Sequence, residues 1–273
     1  MTLSLELNRS GDEGEGEDKG EMIAITAALD VELKPLCARA NARPVEPRSP
    51  ILWGQLADCP VVLVRTGIGR RGVEAILDRW LRVHRPAALI STGFAGALQE
   101  RLEPGELVLL EQVILAAEAG DGAATITSDR ELIEVADRIL SRKGWRYHRG
   151  MGLTADHVVQ PWEKRALGRH STAWSVDMES YWAGRAVQAW GVPFLAVRIV
   201  LDRLDTRIPP LVDGQGRIRP IAVLALLSRP WRLGESVQLG HYARRGARTL
   251  TSFLETFLQE LHAGSEVGNR EWQ

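Results

Sequence analysis

A chain of 273 residues with a formal net charge of −1 is long enough to bury a large core and carries no basic excess to hold nucleic acid or an anionic membrane surface. Its two cysteines, Cys37 and Cys59, exclude a disulfide framework and a cysteine-based metal site, and fit a reduced, cytoplasmic setting. No basic stretch followed by an apolar core opens the chain, and the longest apolar run outside the strands, Ile221 to Leu227, is far too short to span a bilayer, so neither a signal peptide nor a transmembrane segment is expected.

Residues 1–21 end in RSGDEGEGEDKGE, glycine-rich, acidic and without an apolar side chain, which predicts a disordered tail. Met22 to Ala28 reads as the first strand, and Leu33 to Ala40 as a helix, with Glu32 between them at the strand's carboxyl end. Ile51 to Leu56 and Val61 to Arg65 read as strands around an Asp58-Cys59-Pro60 turn. Thr66 to Gly72 is a glycine loop ahead of a helix over Val73 to Val83. It has the GxGxxG spacing, but no acid closes the next strand, so the dinucleotide reading fails and a tight strand–helix turn is the plainer one. Ala87 to Ser91 is a buried strand, and Thr92 to Ala97 a loop of small residues.

Leu107 to Leu115 is a strand, and Asp129 to Arg142 an amphipathic helix with Leu132, Val135, Ile139 and Leu140 on one side. Arg146 to Leu153 leads into a polar loop holding His157, which as a lone histidine is more often neither ligand nor catalyst. Trp162 to His170 is a short basic helix. A further helix opens at Asp177-Met178-Glu179-Ser180 and stops at Gly191-Val192-Pro193. Phe194 to Leu201 is an almost unbroken apolar run, as in a strand covered on both faces, and it ends on Asp202. Thr206 to Pro220 is a proline- and glycine-rich loop, Ile221 to Leu227 a short apolar element, and Ser236 to His262 the last helix, with residues 263–273 frayed.

Continuous apolar strands alternating with helices predict one α/β domain over residues 22–262, a three-layer αβα arrangement around a mixed, mostly parallel sheet. Ligands of open α/β sheets bind beyond the carboxyl ends of the strands. Glu32, Glu179 and Asp202 therefore fall where they can face one crevice, although each alone also reads as a first-turn acid or a turn residue.

Four stretches in order, IAITAALDVE (Ile23–Glu32), VRTGIGRRG (Val64–Gly72), STGFAGAL with PGELVL behind it, and VDMES with VPFLAVRIVLD (Val176–Asp202), resemble the nucleoside phosphorylase and nucleosidase superfamily. They are most similar to its 5′-methylthioadenosine/S-adenosylhomocysteine nucleosidases. The tail, with its proline pair, DGQGR turn and RPWRL, resembles the hopanoid-associated branch, which is thought to release adenine from adenosylhopane.

The resemblance implies a purine nucleoside N-glycosidase with a small nucleoside as partner, no cofactor, and a homo-oligomeric state, usually a dimer. It implies that Glu32 activates water and Asp202 protonates the purine at N7. Met178 and Glu179 grip the ribose, Val158 and Val159 line the base pocket, and Phe94, Gly69 and Arg198 complete the substrate site. The chain departs from the family at Leu201, where the nucleosidases carry a serine, and at Phe94, where serine or threonine is usual. Ser91 stands where the phosphorylases carry a phosphate-binding arginine, which favours hydrolysis. Phosphorolysis, with phosphate held by Arg70 or Arg71, is the alternative. A non-catalytic nucleoside binder is a third, disfavoured because binding alone needs no proton donor.

Overall fold

The structure, a computed structural model, describes residues 22–119, 122–208 and 233–270, and within the last segment the side chains of 238–263. The acidic tail 1–21, and Leu211, Val212 and Ile221 to Leu227 of the apolar segment, lie outside the described residues. In chain order the elements are β1 (Ile23–Ala27), α1 (Asp30–Arg39), β2 (Arg43–Pro44), β3 (Ile51–Leu56), β4 (Cys59–Arg65), α2 (Gly69–Trp80), β5 (Ala88–Ala97) and β6 (Leu107–Leu115). There follow β7 (Thr125–Thr127), α3 (Arg130–Arg142), β8 (Tyr147–Thr154), α4 (Pro161–His170), β9 (Ser175–Asp177), α5 (Ser180–Gln188), β10 (Phe194–Asp202) and α6 (Leu233–Arg270).

The sheet is mixed, with the parallel run β4-β1-β5-β10 at its centre. Successive strand residues point to opposite faces, so each of these strands feeds two cores. Ile23 and Ile25 of β1 pack with Leu36 of α1, Ile139 of α3 and Phe253 of α6 on one face. Ala24, between them, joins Leu77 of α2 and Val187 of α5 on the other. This double coverage explains why β10 reads as an almost unbroken apolar run rather than an alternating one. It also produces the expected three layers. Among the described residues no helix is long and apolar enough to cross a membrane.

The sheet does not stay open. β5 pairs with β1 over its first residues, with β10 along most of its length, and with β9 at Gly96 and Ala97. β10 pairs with β6, β6 with β8, and β8 with β9, so five strands close into a ring.

This closure overturns the sequence reading of Thr92 to Ala97 as a loop. The stretch is the second half of β5, and its small residues carry little strand propensity of their own; pairing with β10 from Thr92 to Gly96, and with β9 at Gly96 and Ala97, holds them extended. Two further boundaries move. α5 begins at Ser180, leaving Asp177 in β9. α6 stays helical to Arg270, past the point where fraying is expected.

Candidate active site

The carboxyl ends of β1, β5, β9 and β10 open into one cavity of about 680 Å³. Its lining is mainly apolar and includes Ile68, Phe94, Val158, Val159 and Met178, with the carboxyl groups of Glu32, Glu179 and Asp202 set into it. Three chain segments far apart in sequence thus deliver the three acids to one space.

Glu32 is in the first turn of α1, where the helix dipole favours an acid. It is buried. One carboxylate oxygen accepts from the Leu29 N–H at 2.7 Å, capping its own helix, and the other accepts from the Phe94 N–H at 2.7 Å. Burial pushes its carboxyl above the usual range, opposed by these two backbone donors and by the Arg198 charge. The approach to β5 depends on Gly93. A Cβ there would stand 2.7 Å from Glu32 Oε1, and its φ of +144° lies where side chains are rarely accommodated.

Glu179 sits at the N-cap of α5, half-buried and open to the cavity. Its Oε1 accepts from the Gly69 N–H at 2.7 Å. Gly69 has a φ of +74°, and this left-handed turn aims the N–H inward. The glycine loop thus gives its Gly69 N–H to an acid. Burial first, and then the charge of Asp177, push the Glu179 carboxyl up to about 8.

Asp202 ends β10 and is buried. Burial raises its carboxyl above the usual range, and the ion pair it makes with Lys164 of α4 opposes that rise. Lys164 also lines the cavity, and the sequence reading missed it. The one available signal was Gly168 a turn later in the same short helix, a weak one.

Arg198 does not belong to the cavity lining, contrary to its expected place in the substrate site. It is 1% exposed, donates to Asp177 Oδ2 at 2.7 Å and to Ser91 Oγ at 2.7 Å, and so anchors the turn that carries Glu179. Asp177 in turn accepts from Thr154 Oγ1 at 2.8 Å and from the Glu179 and Ser180 N–H groups at 3.0 Å each. Gly69 likewise acts through Glu179. Arg70 and Arg71 are exposed, and Arg70 pairs with Glu74 at 2.9 Å and lies over the Trp182 ring, away from the cavity. His157 stands at the cavity wall between Asp156 at 2.6 Å and Glu163 at 2.7 Å; its hydrogen bond to Asp156 first, then Glu163, raises its pKa.

Residues 22–213 match the family model of the phosphorylase superfamily. A 5′-methylthioadenosine/S-adenosylhomocysteine nucleosidase of Actinobacillus succinogenes is 27% identical over 168 residues, which cover 57% of this chain and 73% of that protein. The protein of the same name from Staphylococcus saprophyticus is 24% identical over 199 residues, covering 67% and 87%. Among solved structures, the Neisseria meningitidis nucleosidase of this name in complex with methylthio-immucillin-A superposes with a TM-score of 0.68 at 20% identity, over 88% of this chain and 99% of that one. The futalosine hydrolase of Helicobacter pylori gives 0.69 at 16% identity, over 88% and 98%. These superpositions establish the shared fold.

Proposed function

The chain belongs to the phosphorylase superfamily, and from that premise we propose that it is a nucleosidase that uses water to cleave the N-ribosidic bond of a 5′-substituted adenosine, releasing adenine. The observation that carries this reading is the convergence of Glu32, Glu179 and Asp202 on one mainly apolar cavity.

The chemistry needs three carboxyl groups in three roles. A purine leaves poorly as an anion, so Asp202 donates a proton to its N7. The ribose becomes oxocarbenium-like as the bond breaks, and carboxylates around it stabilise the developing positive charge. Glu179 accepts from the ribose hydroxyls. Glu32 orients a water and takes its proton; burial supports that role by raising its proton affinity.

Water is favoured over phosphate because the arginines at hand are otherwise committed or exposed. Arg198 is held by Asp177 and Ser91, and Arg70 by Glu74. The 5′-substituent in this reading is a bulky apolar group of the adenosylhopane type, since the cavity wall includes Leu29, Val31, Ile208 and Leu239, and Leu29 and Val31 reach the surface.

The test is base release from methylthioadenosine, adenosylhomocysteine, adenosylhopane, inosine and futalosine, each with and without phosphate. Adenine and free sugar regardless of phosphate is the expected result. A 1-phosphate product formed only with phosphate overturns hydrolysis. Asp202→Asn should lower turnover about 10²–10⁴-fold, and a loss of less than about tenfold removes Asp202 from the donor role.

A further inference from the structure

Lys164 has no role in the scheme above, yet it meets Asp202 at the cavity wall. The two side chains are 2% and 3% exposed and form an ion pair shielded from solvent. The same ammonium donates to the Arg203 carbonyl at 3.0 Å.

A buried lysine costs stability unless it is paired, and the packing of α4 is specific in bringing it here. A Cβ on Gly168 would stand 2.1 Å from the carbonyl oxygen of Leu98, just past β5, so only glycine lets the helix come this close. Gly168 lies one turn after Lys164, on the same helix face. The other end of α4 is fastened by Glu163, which accepts from the Gln160 N–H at 3.3 Å and bonds His157 Nε2 at 2.7 Å. Lys164 is thus fixed from both ends of its helix. The remaining ionisable groups of the cavity wall are Asp30 and Glu32 of α1, His157 ahead of α4, Asp177 at the end of β9 and Glu179 at the N-cap of α5. Among the described residues Lys164 is the cation paired with Asp202; the Arg203 guanidinium is turned to Glu103.

We propose that Lys164 is the positioning residue of the base-protonating acid: it fixes the Asp202 carboxyl at the cavity wall and holds the proton that the leaving base takes. This rests on the nucleosidase reading and deepens it. As the C1′–N9 bond breaks, its electron pair moves onto the base. Lys164 first gives its proton to the Asp202 carboxylate, and the neutral carboxyl then passes that same proton to N7, so the pair ends as a carboxylate and a neutral amine. The attacking water gives its proton to Glu32, and exchange with solvent returns one to Lys164, closing the balance. Because the proton reaches the base through both groups, a change at Lys164 shows in the pH–rate profile.

The experiment compares wild type, Lys164→Met and Lys164→Arg, reading adenine release from methylthioadenosine across the neutral and alkaline range, with thermal unfolding to verify folding. Methionine removes the ammonium at similar bulk. Arginine keeps a cation beside the carboxylate but yields no proton in this range. Both variants should keep KM within about threefold, lose about 10²-fold in kcat, and show a displaced alkaline limb. An unchanged Lys164→Met would remove Lys164 from the reaction. Wild-type kcat with an unshifted limb in Lys164→Arg would reduce it to a fixed charge. Either result overturns the proposal, and the arginine variant decides alone if the methionine one does not fold. A wild type that releases no base from any nucleoside overturns the nucleosidase reading itself, which separates that failure from this one.

Discussion

In the proposed reaction Glu179 accepts from ribose hydroxyls, yet burial and Asp177 raise its carboxyl to about 8 in the cavity. At neutral pH it is therefore mostly protonated there, and a neutral acid is a weaker acceptor than a carboxylate. Discrimination between ribo- and 2′-deoxynucleosides, measured as the ratio of kcat/KM, should rise as pH climbs from neutral through about 8, because this parameter reports ionisations of the free enzyme. Glu179→Gln should give a low ratio that does not change with pH. A wild-type ratio flat over this range would remove Glu179 from ribose recognition. The same shift has a sign for stability. The folded-state value lies above the ordinary one of 4.5, so the folded chain keeps a proton that the unfolded chain has lost. The contribution of Glu179 is fully present below about 4.5 and is lost as pH rises to about 8.

At the scale of elements, the strands that position the acids were legible because coverage on both faces writes itself as an apolar run, as in Phe194 to Leu201. Arg198 inside that run was a visible anomaly, and a charge there implies a buried partner. Sequence alone did not show that the partner is Asp177, since that pairing depends on β9 closing the ring beside β5. The second half of β5 was misread for the same reason: glycine and alanine extend there because β10 runs beside them and β9 joins at Gly96 and Ala97. Lys164 was hidden more completely, as one of several charged residues in a short basic helix with Glu163, Arg165, Arg169 and His170. The Arg198–Asp177 pair is 1% exposed on both sides. Removing one partner leaves the other charge buried, so Arg198→Leu should destabilise the fold by about 3–5 kcal/mol, measured by denaturant unfolding. A loss below about 1 kcal/mol would mean that the Thr154, Ser180 and backbone donors suffice for Asp177 without the arginine.

At the scale of the whole molecule, the cavity runs from its three acids to an apolar wall made by α1 and α6, the two helices that pack together on one face of the sheet. Leu29 and Val31 are 36% and 37% exposed there, at the start of a helix whose Glu32 faces inward. Exposed apolar side chains scattered singly need no explanation, but a pair bordering a binding cavity, next to Leu239 of α6, suits a ligand whose 5′-group is itself apolar. A methylthio group is small and gains little from such a wall; a polycyclic hydrocarbon covers all of it, and burial is worth about 25 cal/mol per Å². Leu29→Ala, Val31→Ala and Leu239→Ala should each cost a long apolar 5′-substrate about 1 kcal/mol, or about fivefold in kcat/KM. The same changes should cost methylthioadenosine less than about twofold. Side-by-side kinetics on adenosylhopane and methylthioadenosine measure the difference. Equal losses on both would assign these residues to holding the fold, and wild-type turnover of methylthioadenosine with none of adenosylhopane would make the small nucleoside the substrate.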